Sequence, residues 1–514
     1  MALRLSIAPM LRLLTLLLDR AIRPLPSPED HSTPNPFRGA FWTLAMRWSD
    51  RLIGLASTLI LARLLLPDDF GVFALASIVV GLADVLLDLG VHIALLRDPH
   101  PQREDYDTAW TLRILQSILA AALLITLASP LAASLGEPRL ISLLPWLAGA
   151  LLVGSAENIG IVDFQKQQRF DRDFRFFFTK RVIGFIITTG IALALGSYWA
   201  LVVGTWGQRL FGVALSYALH PYRPHLSLRH SKKIWAFSRW ILLQNIGIYL
   251  EQRMDKLLVG KCESAAWVGT YSVADEIASI PGTELLAPLN RALLPALVAQ
   301  LHEPARVRET YLLALSVQCL IGFPASVGLM LVADQAVAIL LGPHWLEAIV
   351  LLKWLSIGGL VAAMTASGRY LLLAAGHAKS LAVTSWLQVV LFALTATVAF
   401  PIMNAERIAI LRVVVAFITG SVVLAFLLRR FPIVNGSDIV RAIIRPLVAT
   451  AIMTMAVISL QSSAWVIGSG ALIAEVVLGV TVYVLMIIGL WRVVGRPNGA
   501  EYFLFQHWVP WLLN

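Results

Sequence analysis

Fourteen apolar runs, joined by short polar connections, fix what this chain can fold into. They fall near 39–65, 71–96, 110–135, 140–162, 176–196, 198–219 and 236–260, then near 266–299, 308–333, 346–375, 379–401, 406–428, 439–460 and 465–491. A spanning helix takes roughly 20 predominantly apolar residues, and each run reaches that length. Of the 514 residues only 14% are charged, and the mean hydropathy is +0.76. A soluble domain has about a quarter of its residues charged. The chain therefore reads as an all-α polytopic membrane protein with about fourteen transmembrane helices and little room for a separate soluble domain.

Charge in the connections gives an orientation. One alternating set of loops holds Arg97, Arg103, Lys166, Arg169, Arg172, Arg175, Arg223, Arg229, Lys232, Lys233, Arg306, Arg308, Lys379, Arg429, Arg430, Arg441 and Arg445. The other set holds little beyond Arg63, Arg139, Lys261 and Arg407. Basic loops stay in the cytoplasm, so both termini are expected there, consistent with an even number of spans. The net charge of +10 is this bias, not a nucleic-acid footprint, since no basic soluble face exists. Residues 1–37 stand apart. They alternate Leu-rich turns with Arg4, Arg12 and Arg20, then five prolines from Pro24 to Pro36, and read as a cytoplasmic amphipathic tail and a flexible linker.

Charges inside the runs are expensive and mark candidate sites. Arg47 and Arg51 share a face of the first run at i,i+4, with Asp50 within i,i+3 reach of Arg47. Arginine suits bidentate recognition of phosphate. Arg209 and Arg369 are lone cations within apolar runs. The densest cluster is Glu251-Gln-Arg253-Met-Asp255-Lys256, preceded by Gln244 and Asn245. The substrate-binding candidates are thus Arg47, Arg51, Arg209, Gln244, Asn245, Arg253, Lys256 and Arg369. Asp84, Asp88 and His92 form an i,i+4 stripe on the second run. With Glu251 and Asp255 they are the candidates for coupling to H⁺ or Na⁺. The competing reading for Arg47, Asp50 and Arg51 is snorkelling at the cytoplasmic interface. For Asp84 and Asp88 it is structural pairing with Arg residues such as Arg113 or Arg209, and for the 251–256 cluster it is a self-neutralised group that only fixes helix packing. Pro281, Pro288 and Pro295 are expected to bend the eighth run.

No catalytic motif is found. Gly260-Lys261-Cys262 lacks the glycine-rich lead and the hydroxyl of a phosphate loop, and no metal-binding or paired-cysteine spacing occurs. Neither a metal nor a cofactor is expected. Cys262 and Cys319 read as packing residues. The outer loops are all short, which argues against a membrane polymerase. The chain reads as a transporter rather than an enzyme.

Several segments resemble one family in order and spacing. Leu61-Ala-Arg-Leu-Leu-Leu-Pro-Asp-Asp-Phe-Gly71 is similar to the first hairpin of Wzx-type polysaccharide flippases. These belong to the multidrug/oligosaccharidyl-lipid/polysaccharide (MOP) exporter superfamily. Asp255-Lys-Leu-Leu-Val-Gly260 with Gly269-Thr-Tyr271-Ser-Val-Ala274 resembles the connection of its seventh and eighth helices. Leu294-Pro295-Ala296-Leu297 and Leu341-Gly-Pro-His-Trp345 match further segments. The resemblance runs from about 38 to 495 and is nearest to the colanic-acid-type subgroup. It implies two six-helix lobes, 38–219 and 235–430, around a central cavity, with two more helices in 431–514. It implies a protein of the bacterial inner membrane. Its substrate would be an undecaprenyl-diphosphate-linked oligosaccharide, flipped to the periplasmic leaflet by alternating access for exopolysaccharide, capsule or O-antigen. Membrane lipid, a polysaccharide polymerase and export machinery are the implied partners. The alternatives are a cation-coupled small-molecule antiporter of the same superfamily and a lipid II flippase.

Overall fold

The computed structural model describes residues 36–87, 92, 95, 96, 98, 101–462, 470–496 and 499–501. The expected amphipathic tail and nearly all of the linker (residues 1–35), together with Asp88, lie outside the described residues. Every regular element among the described residues is helical. Two compact units result, one within Met1–Tyr249 with Ser264–Gly269, the other within Leu250–Glu263 with Thr270–Asn514.

The first unit is built from α1 (Pro36–Leu64), α2 (Pro67–Leu87), α3 (Arg103–Leu135), α4 (Leu140–Ser155), the short α5 (Val162–Lys166), α6 (Phe170–Leu195) and α7 (Trp199–Leu219). α8 (Ser231–Cys262) and α9 (Ala265–Ala278) contribute to both units. The second unit continues with α10 (Ala287–Gln300), α11 (Pro304–Leu331), α12 (Ala333–Leu340), α13 (Ala348–Ala374), α14 (Ala378–Val398), α15 (Ala405–Arg430), α16 (Gly436–Ser462) and α17 (Ala471–Val493). Each apolar run coincides with a helix or a broken helix. The eighth run is α9 and α10, with a π-helical segment Pro281–Leu285 between them, as its prolines suggest. Among the described residues nine helices are long and apolar enough to span on length and composition alone. A tenth counts if α4 and Ile159–Lys166, bent by 62°, are one span. α1 and α8 are long enough, but clusters of polar and charged residues lower their hydropathy.

The segment 61–71 is less of a turn than its sequence suggests. α1 stays helical to Leu64, and only Leu65 and Leu66 are non-helical before Pro67 opens α2. Proline suits the first helical position, where its missing N–H costs nothing, and Asp68 and Asp69 complement the helix dipole. Both carboxylates also tie neighbouring connections together. Arg139, between α3 and α4, holds Asp68 with Nη2–Oδ1 at 3.0 Å and Glu137 at 2.6 Å. Asp69 Oδ1 accepts the Tyr198 N–H, at the start of α7, at 2.9 Å. Beside this clasp α2 meets the first turns of α9 backbone to backbone. A Cβ on Gly71 would lie 1.6 Å from the Ala265 carbonyl oxygen, and one on Gly269 2.0 Å from that of Pro67.

At the other end of the unit an extended strap, residues 220–228, crosses the start of α3. Asp107 accepts from the Tyr222 hydroxyl at 2.5 Å and the His225 N–H at 2.7 Å. His230 Nδ1 lies 2.7 Å from Asp105. The Asn158 amide donates to the carbonyls of His220 and Tyr222. Burial and the Asp107 carboxylate hold the Tyr222 phenol well above its usual range, so it remains a donor.

In the second unit α11 packs on α13 and α16, and α13 on α15. Tyr311, Leu315, Cys319, Phe323, Leu371 and Leu427 form its core. Fully buried Cys319 serves there as a small apolar residue. A polar knot joins α8, α9 and α15. Arg412 reaches Asp255 at 2.6 Å and Asp275 at 2.8 Å, Lys256 reaches Asp275 at 2.7 Å, and the Tyr271 hydroxyl donates to Asp255 at 2.9 Å. Asp255, Lys256 and Tyr271 are almost wholly buried.

Two outcomes follow from this packing. Arg412→Ala strips Asp255 of its cation inside a buried site, where removing one partner costs about 3–5 kcal/mol. Thermal unfolding of the purified protein should show a loss of that order. Gly269→Ala or Gly71→Ala forces two backbones apart and should cost roughly 1–3 kcal/mol in the same measurement, whereas Gly489→Ala, facing open space, should be silent.

Candidate functional site

Two long cations, Arg113 and Arg209, line one cavity of the first unit, and a third, Lys180, stands beside it, paired with Glu157 of its wall. Arg113 lies ten residues into α3, Lys180 ten residues into α6, and Arg209 ten residues before the end of α7. At 1.5 Å per residue each is about 15 Å from its helix end. The fourth wall is the bend after α4, which turns the chain at Glu157 and Asn158. The cavity measures ≈ 360 Å³ and is lined also by Asp84, His92, Gln116, Gln165, Phe176 and Phe177.

Close helix packing normally excludes such side chains, and glycine makes the room. A Cβ on Gly154 of α4 would sit 2.7 Å from Arg209 Cδ and 2.8 Å from its Nη1. One on Gly212 of α7 would lie 2.8 Å from Lys180 Cε. Each cation therefore lies across a bare stretch of backbone on the neighbouring helix.

Pairing within the ring is uneven. Glu157, nearly buried, takes Lys180 at 3.0 Å with both carboxylate oxygens and Arg113 at 3.6 Å. Arg113 also donates to the Gly154 carbonyl at 3.0 Å. Arg209 has no ion-pair or hydrogen-bond partner among the described residues. Nearby amides are committed elsewhere, Asn158 to the strap and Gln116 to the Leu87 carbonyl. The ring thus holds three cations against Glu157, with Asp84 on the cavity wall. Chemically this arrangement suits an anion with several oxygens, such as a phosphate or diphosphate.

The structure brings together Asp84, His92 and Arg209 from the sequence-based candidates. Arg47 and Arg51 are partly buried on α1, where Asp50 pairs with Arg181 of α6 at 3.1 Å rather than with Arg47. Arg181 can approach because Gly54 faces it. In the second unit Arg369 and Glu251 lie 3.8 Å apart, and Asp255 and Lys256 belong to the polar knot. A cavity of only ≈ 10 Å³ is lined by Glu251, Asp255, Gln388 and Arg412. Arg253 and Gln244 are exposed and Asn245 half-buried, and all three lie outside both cavities. Sequence reasoning named Arg113 only as a partner and missed Glu157, Lys180 and Arg412. Arg412 is the one charge within the run 406–428 beyond Glu406 and Arg407 at its edge, the same signal that marked Arg209. Arg113 and Lys180 stood at the edges of their apolar runs, but their helices begin several residues earlier.

Comparison with known proteins fits this frame. The family model described as "Polysaccharide biosynthesis protein" matches residues 60–350, more than half of the chain. The lipopolysaccharide biosynthesis protein WzxC of Escherichia coli (strain K12) is 24% identical over 322 residues, 60% of this chain and 64% of that protein. The succinoglycan biosynthesis transport protein ExoT of Rhizobium meliloti (strain 1021) is 23% identical over 313 residues, 60% of this chain and 63% of that protein. The match thus spans less than two thirds of either relative. Among solved structures, the lipid II flippase MurJ in an inward closed conformation superposes with a TM-score of 0.73 at 12% identity, covering 88% of this chain and 99% of that one. An inward-facing multidrug resistance MATE family transporter of the MOP superfamily superposes at 0.56 and 15% identity, covering 74% and 94%. These likenesses show the fold, an all-helical one shared with MurJ and the MATE transporter. The chain belongs to the polysaccharide biosynthesis protein family.

Proposed function

We propose that this protein is a flippase. It would move an undecaprenyl-diphosphate-linked oligosaccharide from the cytoplasmic to the periplasmic leaflet of the bacterial inner membrane, by alternating access, for exopolysaccharide, capsule or O-antigen synthesis. The observation that carries this reading is Arg209, a cation with no partner among the described residues, in a ring with Arg113 and Lys180. Phosphate oxygens are what such a ring lacks. Its depth suits them too. The cations stand about 15 Å in from the helix ends expected on the cytoplasmic side, where a diphosphate in transit between leaflets would pass while its tail stays in hydrocarbon. The names of WzxC and ExoT, a glycan biosynthesis protein and a transport protein, support the substrate class. The reading is a transporter's, not an enzyme's. Both termini would be cytoplasmic. Coupling to H⁺ or Na⁺ would use acidic groups on the cavity wall, Asp84 first among them; Asp255 is already neutralised in its knot.

A strain lacking this protein should accumulate lipid-linked repeat units in the inner leaflet and lose surface polysaccharide. Normal polysaccharide with no accumulation, in a strain with no second flippase gene, would sink the proposal. In the complemented strain Arg209→Gln should lower export about tenfold, the loss of one charge-assisted contact, at unchanged protein level in the membrane. Gly154→Val should reproduce that loss by displacing the Arg209 side chain.

A further inference from the structure

Among the described residues the Glu157 carboxylate pairs with both Lys180 and Arg113, and its position in the chain is unusual. It is not on a helix face but at the 62° bend between α4 and Ile159–Lys166, a wall of the cavity that is not a continuous helix. From there both of its oxygens lie 3.0 Å from Lys180 Nζ, while one lies 3.6 Å from Arg113 Nη2. Lys180 and Glu157 are each about nine-tenths buried as side chains. This carboxylate spans two cations on two helices, as a phosphate group would. Arg209, the third cation, is left over.

We propose that Glu157 is a resident anion that holds Lys180 and Arg113 until the substrate's diphosphate displaces it. The inference rests on the reading of the cavity as the diphosphate site. A substrate first meets Arg209, whose guanidinium is open to it. Its remaining charge then competes with Glu157 for Lys180 and Arg113. Two like charges cannot share these cations at close range without repulsion, so the carboxylate must withdraw as the diphosphate settles. The bend gives it the means, because its backbone is not locked in a continuous helical ladder. Asn158, next in the chain, is hydrogen-bonded to the strap carbonyls of His220 and Tyr222, and its own N–H donates to Ser216 of α7. Displacing Glu157 therefore pulls directly on the strap that leads from α7 into α8. Site occupancy and strap position become one event. The same competition sets a selectivity: a monoanion that contacts only Arg209 does not displace Glu157, whereas a diphosphate does.

Binding of farnesyl diphosphate, a short isoprenyl diphosphate, to the purified full-length protein tests this by titration calorimetry. Removing the competitor in Glu157→Gln should tighten binding about tenfold, within the coupling measured for close charge pairs. Glu157→Asp draws the carboxylate back by one methylene and should fall between the two. Farnesyl monophosphate should gain much less from either change. Equal or weaker diphosphate binding by a monodisperse Glu157→Gln protein overturns the proposal, and if that variant does not fold, unchanged binding by Glu157→Asp does so. Arg209→Gln serves as the separate control. If it binds farnesyl diphosphate as tightly as the wild type, the siting of the diphosphate is wrong, whatever Glu157 does.

Discussion

The constraint on which this structure depends is that a charge inside a bilayer must find a partner in the protein. Water is absent, and an unpaired buried ion costs several kcal/mol. The described helices meet that demand in two ways. Around Arg412 the account closes, with two carboxylates, two cations and a phenol in mutual contact. Around Glu157 it does not, because one carboxylate serves two cations and a third stands beside them. A balanced knot fixes helices and offers a ligand nothing. An unbalanced one keeps an attraction in reserve. The difference is one of stoichiometry, and it separates a structural cluster from a candidate site without reference to any relative.

Packing decides whether such charges can exist at all. Helices in membranes associate through close contact between small residues rather than by expelling water. Glycine therefore appears wherever backbones approach, as at Gly71 and Gly269. In the first unit the same residue has a second use. Gly154 and Gly212 leave troughs into which Arg209 and Lys180 are laid, so that long polar side chains cross a helix interface without prising it apart. Arg113, Lys180 and Arg209 each stand ten residues in from one end of their helix.

Much of this was legible in the sequence. Apolar run length found every membrane-length element, and the prolines of the eighth run located its break. The reasons for the misreadings are equally physical. Pro67 in the 61–71 segment reads equally as a break or a start, since proline at a first helical position starts a helix as readily as it ends one, and the local sequence does not distinguish them. Asp50 was paired with Arg47 because i,i+3 spacing is visible in sequence; Arg181, which holds it, is 131 residues away. Glu157 lay at the end of a run, where a charge reads as a loop residue. Only the bend of the chain turns it inward.

That last case bears on how a transporter of this kind can be built. A carboxylate on a straight helix would be held by the ladder above and below it and would keep its cations whatever arrived. At a bend, the local backbone is supported instead by Asn158, whose hydrogen bonds go to the strap and to α7. Those contacts are few and made to segments without regular structure or at helix ends, which are the parts of a fold with the lowest cost of opening. Under the proposed displacement, the group that would yield to a substrate is placed where yielding is cheap, and the three cations are placed within helices on rigid neighbours. Electrostatics alone would allow the opposite arrangement; the need to release an ion pair inside a membrane favours this one.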